Sequence, residues 1–509
     1  MNPDAAEHHH LPLLRLASSK TKKQAFFMAS APNSNPDTTP SLPPPATSLS
    51  PSSSLPSSSV TTASYCTPSI TTMDYDHIIS ILHLLPLDSI LCFSMTCRKF
   101  RSLASSESLW EFVCRRDWGS SSVDALVSSF SSVERREMSW KRLYQQVSQL
   151  SSVSCRRLVS KDGIFPRPRA SHSLNYVSDC LVLFGGGCEG GRHLDDTWVA
   201  YIGNGFNRVI SWQQVDSSIP NGRFGHSCIV IADSLVLFGG INDSGVRHND
   251  TWIGRLIREG PLDIKISWRP LDVGPVAPAP RGAHAACCTG EQKMVIHGGI
   301  GFNGLRLDDT WVLDLTDDLI SARWYPITNA RLSPPARSGH SLTWIGGCHM
   351  VLYGGRGSGY DVLNDVWLLD IGRELPEWME LKYDNSNIPS EMPLPRVGHS
   401  ATLIIGGQVL IYGGEDSQRH RKNDFWILDV GSLSRFQAMG LKRPAKIWKK
   451  LRLEGHCPSY RSFHGACTDR SGRNVFIFGG MVDGVVHPAE AYGLRFDGEL
   501  YHVKLVLQL

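Results

Sequence analysis

The sequence contains no apolar run long enough to cross a bilayer: runs such as Val409-Leu-Ile-Tyr412 are only of strand length. That excludes a helical membrane span. It also lacks a charge bias, since 51 basic and 48 acidic residues leave +3, which provides no bulk attraction for nucleic acid or an anionic membrane. Cysteine pairing motifs are missing too. The thirteen cysteines are odd in number and include no CxxC, a usage that argues for reduced thiols in the cytoplasm and/or nucleus rather than a disulfide framework. No secretory apolar region, Walker motif, HExxH or nucleophile elbow is present.

Residues 1–72 have little that could build a core. From 29 to 72 the chain is mostly Ser, Pro and Thr, too poor in apolar surface to offset chain entropy, and is expected to be a disordered tail. His8-His9-His10 and Lys20, Lys22 and Lys23 are read as part of that solvated tail rather than as a metal or import signal.

What the chain does have is a repeat. Diglycines begin at Gly185, Gly239, Gly298, Gly354, Gly413 and Gly479, in steps of 54, 59, 56, 59 and 66 residues. An Arg-x-x-His precedes each: Arg169/His172, Arg223/His226, Arg281/His284, Arg337/His340, Arg396/His399 and Arg461/His464. A carboxylate and an aromatic two residues apart follow, as Asp196/Trp198, Asp250/Trp252, Asp309/Trp311, Asp365/Trp367, Asp424/Trp426 and the degenerate Glu490/Tyr492. Each unit ends on an aromatic: Trp212, Trp268, Trp324, Trp378, Trp448 and Tyr501. Within the unit Pro335 to Leu381, apolar runs after His340, at His349–Tyr353, at Asp365–Asp370 and at Trp378–Leu381 predict four antiparallel strands. From about Cys155 to Leu509 the pattern resembles kelch repeats, which implies a mainly β fold, a six-bladed propeller. The approximate repeats are 166–215, 220–271, 280–327, 335–381, 395–451 and 460–505 of a propeller spanning 152–509. Either Cys155-Arg-Arg-Leu158, which mimics Trp448-Lys-Lys-Leu451, or the strand from Tyr501 closes the last blade. The resemblance favours the former.

Between the tail and the repeats the pattern is helical. Ile78, Ile79, Leu82 and Leu85 recur at helical spacing and stop at Pro86. Asp88 is placed to cap a second helix, a third runs Arg98–Leu103, and Ser108-Leu-Trp-Glu111 reads as a capping box opening a fourth. The run Leu85-Pro-Leu-Asp-Ser-Ile-Leu91, with Cys97, Phe100 and Leu109-Trp110, resembles an F-box, giving an all-α F-box domain over 73–119. A linker over 120–151 carries Trp140, Leu143, Tyr144 and Val147, an amphipathic helix. The run Leu109-Trp-Glu-Phe-Val-Cys114-Arg-Arg-Asp-Trp118-Gly119, followed by six kelch units, is similar to the F-box–kelch half of the plant LOV/F-box/kelch family, without a flavin-binding LOV domain.

The resemblance implies a non-catalytic substrate receptor of an SCF-type cullin–RING ubiquitin ligase, with no cofactor. Leu82, Leu85, Pro86, Leu87, Ile90 and Leu91 would meet a Skp-type adaptor, while Cys97, Phe100 and Trp110 would build the helix packing. The target protein would lie on the propeller rim. Candidates there are Arg169, Arg223, Arg281, Arg337, Arg396 and Arg461, with the alternative that each is neutralised by its own blade's carboxylate. The residues after the diglycines (Gly187, Ile241, Ile300, Arg356, Glu415 and Met481) vary where the scaffold repeats, which makes Arg356 and Glu415 further candidates. One histidine per blade, about sixty degrees apart, cannot converge on a metal. A kelch interaction scaffold without ligase association is the runner-up reading, and an enzyme with a site in the channel a third.

Overall fold

The computed structural model describes residues 70, 73–202, 209–215, 220–259, 264–328, 332–381, 393–429, 447–483 and 495–507. The tail expected over 1–72 lies almost wholly outside the described residues, as does the proposed doublet Glu490/Tyr492.

Seven short helices come first: α1 (Tyr75–Leu84), α2 (Leu87–Thr96), α3 (Arg98–Leu103), α4 (Glu107–Trp118), α5 (Ser120–Ser128), α6 (Ser132–Glu137) and α7 (Trp140–Ser148). Pro86 does separate the first two, but as the N-cap of α2, with Asp88 inside the first turn. Helix α4 has Ser106 as its N-cap, so Ser108 is already helical and makes no cap. The true capping box is Ser131/Glu134 on α6. Ile78, Leu82, Ile90, Phe100, Leu103, Leu109, Trp110 and Val113 form one apolar core among α1 to α4. Cys97 instead is exposed and its Sγ accepts from the Phe100 amide.

Among the described residues the rest forms six blades from the expected units, with a small separate sheet of Arg461–Ser462, Met481–Val482 and Arg495–Phe496. Blade 1 is Ser173–Val177, Cys180–Phe184, Thr197–Tyr201 and Trp212–Val215, and blade 2 Ser227–Ile231, Ser234–Phe238, Thr251–Arg258 and Ile264–Pro270. Blade 3 is Ala285–Cys288, Lys293–Ile300, Arg306–Leu315 and Ala322–Pro326; in blade 4 the strands are Ser341–Gly346, His349–Gly357, Val362–Asp370 and Glu377–Glu380. Blade 5 is Val397–Ile404, Gln408–Glu415, Phe425–Leu428 and Trp448–Lys450. In blades 3 to 5 the second strand runs through its diglycine rather than stopping there.

Blade 6 is Gly465–Thr468, Asn474–Phe478, Leu500–Leu505 and, as outer strand, Ser152–Ser160. The N-terminal strand therefore closes the ring, and Tyr501 corrects the sequence reading: it faces Ile477 on the third strand, where Trp426 faces Ile411 in blade 5. On that outer strand Cys155 opposes Val503, as Trp448 opposes Leu428. Five blades place an indole there, each against an aromatic of the preceding blade, such as Trp268 on Phe184 and Trp324 on Phe238. The sixth places a disulfide, Cys155–Cys457, which contradicts wholly reduced thiols. It arises because Ser152–Cys155 also pairs in parallel with Arg452–Gly455, bringing Cys457 alongside.

At the axis each blade gives one backbone hydrogen bond to its neighbour. The amides of Ser171, Gly225, Ala283, Gly339, Gly398 and Phe463 donate to the carbonyls of Phe463, Ser171, Gly225, Ala283, Gly339 and Gly398, at 2.7–2.9 Å. The result is a closed circle. All six residues sit at φ between 54° and 68°, which glycine adopts freely and Ser, Ala and Phe only under constraint.

The repeated histidines lie just outside that circle. Nε2 of His226, His284, His399 and His464 meets the hydroxyl of Ser173, Ser227, Ser341 and Ser400 on the preceding blade. His340 and His172 face the blades whose corresponding residues are Ala285 and Gly465, and have no hydroxyl partner. Burial, then the nearby arginines, hold His226, His284 and His399 down at about 3.

Two outcomes are expected. Unfolded imidazoles take a proton near ~6.5, folded ones only near 3. Between those values the unfolded chain binds more protons, so stability is full above about pH 6.5 and falls below it by about 1.4 kcal/mol per unit for each histidine. The thermal midpoint should drop steadily from about pH 7 to about pH 5; a flat profile contradicts neutral buried imidazoles. Second, Cys155→Ala with Cys457→Ala should cost about 2–4 kcal/mol in non-reducing denaturant titration and nothing measurable in excess dithiothreitol. Equal loss under both conditions would mean the thiols, not the bond, matter.

Candidate functional site

The six repeated arginines are structural. Each is at most 1% exposed. In every blade Nε donates to the carbonyl two residues upstream and Nη1 to that of the first diglycine residue: Arg337 to Pro335 and Gly354, for example. The remaining donors clasp a carboxylate, as Arg169–Asp196, Arg223–Asp250, Arg281–Asp309, Arg337–Asp365 and Arg396–Asp424. Arg461 takes Asp497. The Trp indole two residues on donates to the same carboxylate (Trp367 to Asp365, 2.7 Å), while in blade 6 Tyr501 donates to Glu499 instead. Burial alone would push Asp196, Asp250, Asp309 and Asp424 up, but the guanidiniums outweigh it and hold them below the usual carboxylate range. Buried and bonded within their own blades, these arginines fit the alternative of neutralisation by the blade's own carboxylate rather than contact with a client.

The diglycines make this possible. A Cβ on Gly185 would lie 2.9 Å from the Arg223 carbonyl oxygen of the next blade, and one on Gly186 2.7 Å from the His172 Cβ.

The rim is built instead by the loops between second and third strands. Ile241, Ile300, Arg356 and Glu415 pair there with Arg247, Arg306, Val362 and Arg421, and Gly187 with His193. Blades 4 to 6 carry an ionic chain: Arg356 reaches Glu415 at 3.7 Å, Glu415 accepts from Ser462 at 2.8 Å, and Arg421 reaches Glu415 at 3.8 Å and Asp483 at 2.6 Å. In blades 1 to 3 the residues after the diglycines also bridge back to the blade entry: Gly187 to Ala170, Ile241 to Phe224 and Ile300 to Gly282. Arg356 and Glu415 therefore stay on the rim, though Glu415 is 5% exposed and already engaged. Among the described residues no group of three or more His, Cys, Asp or Glu is placed to hold a metal ion.

The helices occupy the other end of the propeller. In an antiparallel blade the turn between strands 1 and 2 lies opposite the loop between strands 2 and 3. Leu126, Phe130, Leu143 and Val147 pack on Ile404 and Ile405, in blade 5's first turn. Gly406 is required there, since its Cβ would come within 2.5 Å of Val147. Helix α7 has two working faces: Leu143 and Val147 against the propeller, Trp140 and Tyr144 against the core of α1 to α4. Tyr144 also donates to Asp117 at 2.8 Å and stacks on Trp118.

Of the residues assigned to an adaptor, Leu82 and Ile90 are fully buried in the helical core, so their surface is unavailable. Leu85 and Leu87 are half-buried, and Pro86 and Leu91 exposed. The sequence reading missed Leu84, 86% exposed, and Met95, 70% exposed, which with Tyr75, Ile81, Leu91 and Phe112 make an uncovered apolar surface on α1, α2 and α4. Their signal was the i, i+3 spacing of Ile81 and Leu84 beside Ile78 and Leu82: two apolar faces where one core needs only one. Arg116 fixes the α1–α2 turn by donating to the carbonyls of His83 and Leu85.

Comparison with known proteins agrees with both modules. The model of the KLHDC2/KLHL20/DRC7 Kelch-repeats domain matches residues 141–355, 262–392 and 349–491, and the F-box-like model residues 76–116. F-box/kelch-repeat protein At1g51550 of Arabidopsis thaliana is 53% identical over 460 residues, 88% of this chain and 94% of that one. Adagio-like protein 1 of Oryza sativa subsp. japonica is 31% identical over 411 residues, and there the chain spans 61% of its relative's length. A solved structure titled "Structure of YjhT" aligns with a TM-score of 0.46 at 14% identity, covering 66% of this chain and 95% of that one. With an F-box helical core at one end of a six-bladed kelch propeller, and a relative 53% identical along nearly its whole length, the chain belongs to the F-box/kelch-repeat proteins.

Proposed function

We propose that this protein is the substrate-recognition subunit of an SCF-type ubiquitin ligase, working in the cytoplasm and/or nucleus. The helical module docks on a Skp-type adaptor and through it on a cullin–RING assembly. The propeller rim holds a target protein, and ubiquitin transfer is carried out by other chains. The contribution to the reaction is effective concentration of the target, not bond chemistry within this chain.

One observation carries the reading: large apolar side chains on α1, α2 and α4 are left in water by a module that has otherwise completed its core. Leu84 and Met95 add nothing to folding where they stand, and burying either against a partner would contribute about 1.5–3 kcal/mol. The opposite placement of this surface and the rim leaves each free while the other is occupied. Helix α7, wedged between both cores, would hold the angle between them.

Coexpression of the full chain with a Skp-type adaptor, followed by size-exclusion chromatography, tests the docking. A stable binary complex is expected. Leu84→Glu with Met95→Glu should weaken it at least about a hundredfold and leave the thermal midpoint within about 1 °C, because neither side chain is packed. Pro86→Ala with Leu87→Ala should also weaken the complex while sparing the propeller's transition. No complex with the unmodified chain would favour an interaction scaffold without ligase association.

A further inference from the structure

The two halves of the rim differ in how completely their charges are matched. Within the chain from blade 4 to blade 6, two guanidiniums, Arg356 and Arg421, meet two carboxylates, Glu415 and Asp483. Nearby, Lys422 is paired with Asp416, and His193 lies against Asp243. Arg247 of blade 2 and Arg306 of blade 3 have no carboxylate among the described residues. Arg247 donates only to the Gly245 carbonyl, at 2.9 Å, and its buried Nε has no partner. Arg306 donates to the Ser338 hydroxyl at 3.2 Å and lies 4.5 Å from the centre of the Tyr360 ring. Ser338 is the strand partner of Arg356, whose own buried Nε is also unpartnered. Three guanidiniums with spare donors thus occupy successive blades, two of them linked through one serine.

Apolar groups stand beside them. Phe302 and Leu305 of the blade 3 loop are 81% and 68% exposed, Tyr360 of the blade 4 loop 70%, and Val246 of the blade 2 loop 53%. None takes part in a hydrophobic core. An arginine resting on an aromatic face, beside bare Phe and Leu, suits a ligand that carries a carboxylate next to a large apolar side chain.

We propose that the client of this rim is recognised through an extended acidic segment laid across the loops of blades 2 to 4. Its carboxylates meet Arg306 and Arg247, with Arg356 as a third donor, and an apolar side chain packs on Phe302, Leu305 and Tyr360. This deepens the receptor reading given above and rests on it. Glu415 and Asp483 mark the limit of the segment, because acidic residues there would face matched or negative surface.

The test uses the full chain, purified with its adaptor where the two associate and alone where they do not. The probes are fluorescein-labelled synthetic peptides of about a dozen residues, rich in Glu, Asp, Leu and Phe. Controls replace Glu and Asp by Gln and Asn, or place phosphoserine at the acidic positions. Anisotropy should report binding that weakens strongly from about 0.05 M to about 0.3 M NaCl. Arg306→Gln should weaken it about tenfold, and Phe302→Ala with Tyr360→Ala should weaken it at unchanged salt dependence. The neutral peptides should not bind. No binding by any acidic peptide, equal binding by the neutral set, or indifference to Arg306→Gln in a protein of unchanged thermal midpoint overturns the proposal. Preference for the phosphoserine set over carboxylates overturns it in favour of a phosphorylated client. Adaptor association, read in the same preparations, reports separately on the receptor reading.

Discussion

Six backbone hydrogen bonds around the axis, one between each pair of neighbouring blades, hold this molecule in register. Because each amide from Ser171 to Phe463 donates to the blade before it and the last accepts from the first, no blade can shift without breaking two bonds of the circle. The left-handed backbone it demands explains why Gly225, Gly339 and Gly398 occupy three of its positions, and why Ser171, Ala283 and Phe463 tolerate the strain at the others. The buried arginines sit one turn outward from this circle. Each ties the entry of its blade to the diglycine and to a carboxylate, so the rim loops start from fixed points. A loop anchored at both ends can vary in sequence while keeping its place, which is what recognition on a repeat scaffold requires.

Much of this was legible in the chain. Four marks recurring at six near-equal intervals leave few architectures open, and the likeness of Cys155-Arg-Arg-Leu158 to Trp448-Lys-Lys-Leu451 pointed to the closing strand. Reading the arginines as client contacts had a plain cause: spacing along the chain does not reveal which groups share a point in space. Blade 6 divides the job: Asp497 neutralises Arg461, and Glu499 accepts from Tyr501. The disulfide was hidden for the same reason, since Cys155 and Cys457 are 302 residues apart in sequence and adjacent only after closure. Among the helices, apolar periodicity identified the core but could not separate Leu82, which faces inward, from Leu84, which does not.

The two ends of the propeller have different tasks. At one, α5 and α7 pack on blades 5 and 6 and carry the F-box core with its bare apolar surface. At the other, buried ion pairs support a mouth whose charges are matched over blades 4 to 6, while Arg247 and Arg306 of blades 2 and 3 have no carboxylate among the described residues. The interior joining them is paired and packed, with a guanidinium, a carboxylate and an indole repeated in five of the six blades.

Hydrogen exchange on the full-length protein, with and without a Skp-type adaptor, addresses this division most directly. The account predicts slowed exchange in Tyr75–Thr96 on adding adaptor, with the axial amides from Ser171 to Phe463 and the loops around Phe302 and Tyr360 unchanged. Protection confined to the propeller loops, with the helices exchanging as before, would contradict it.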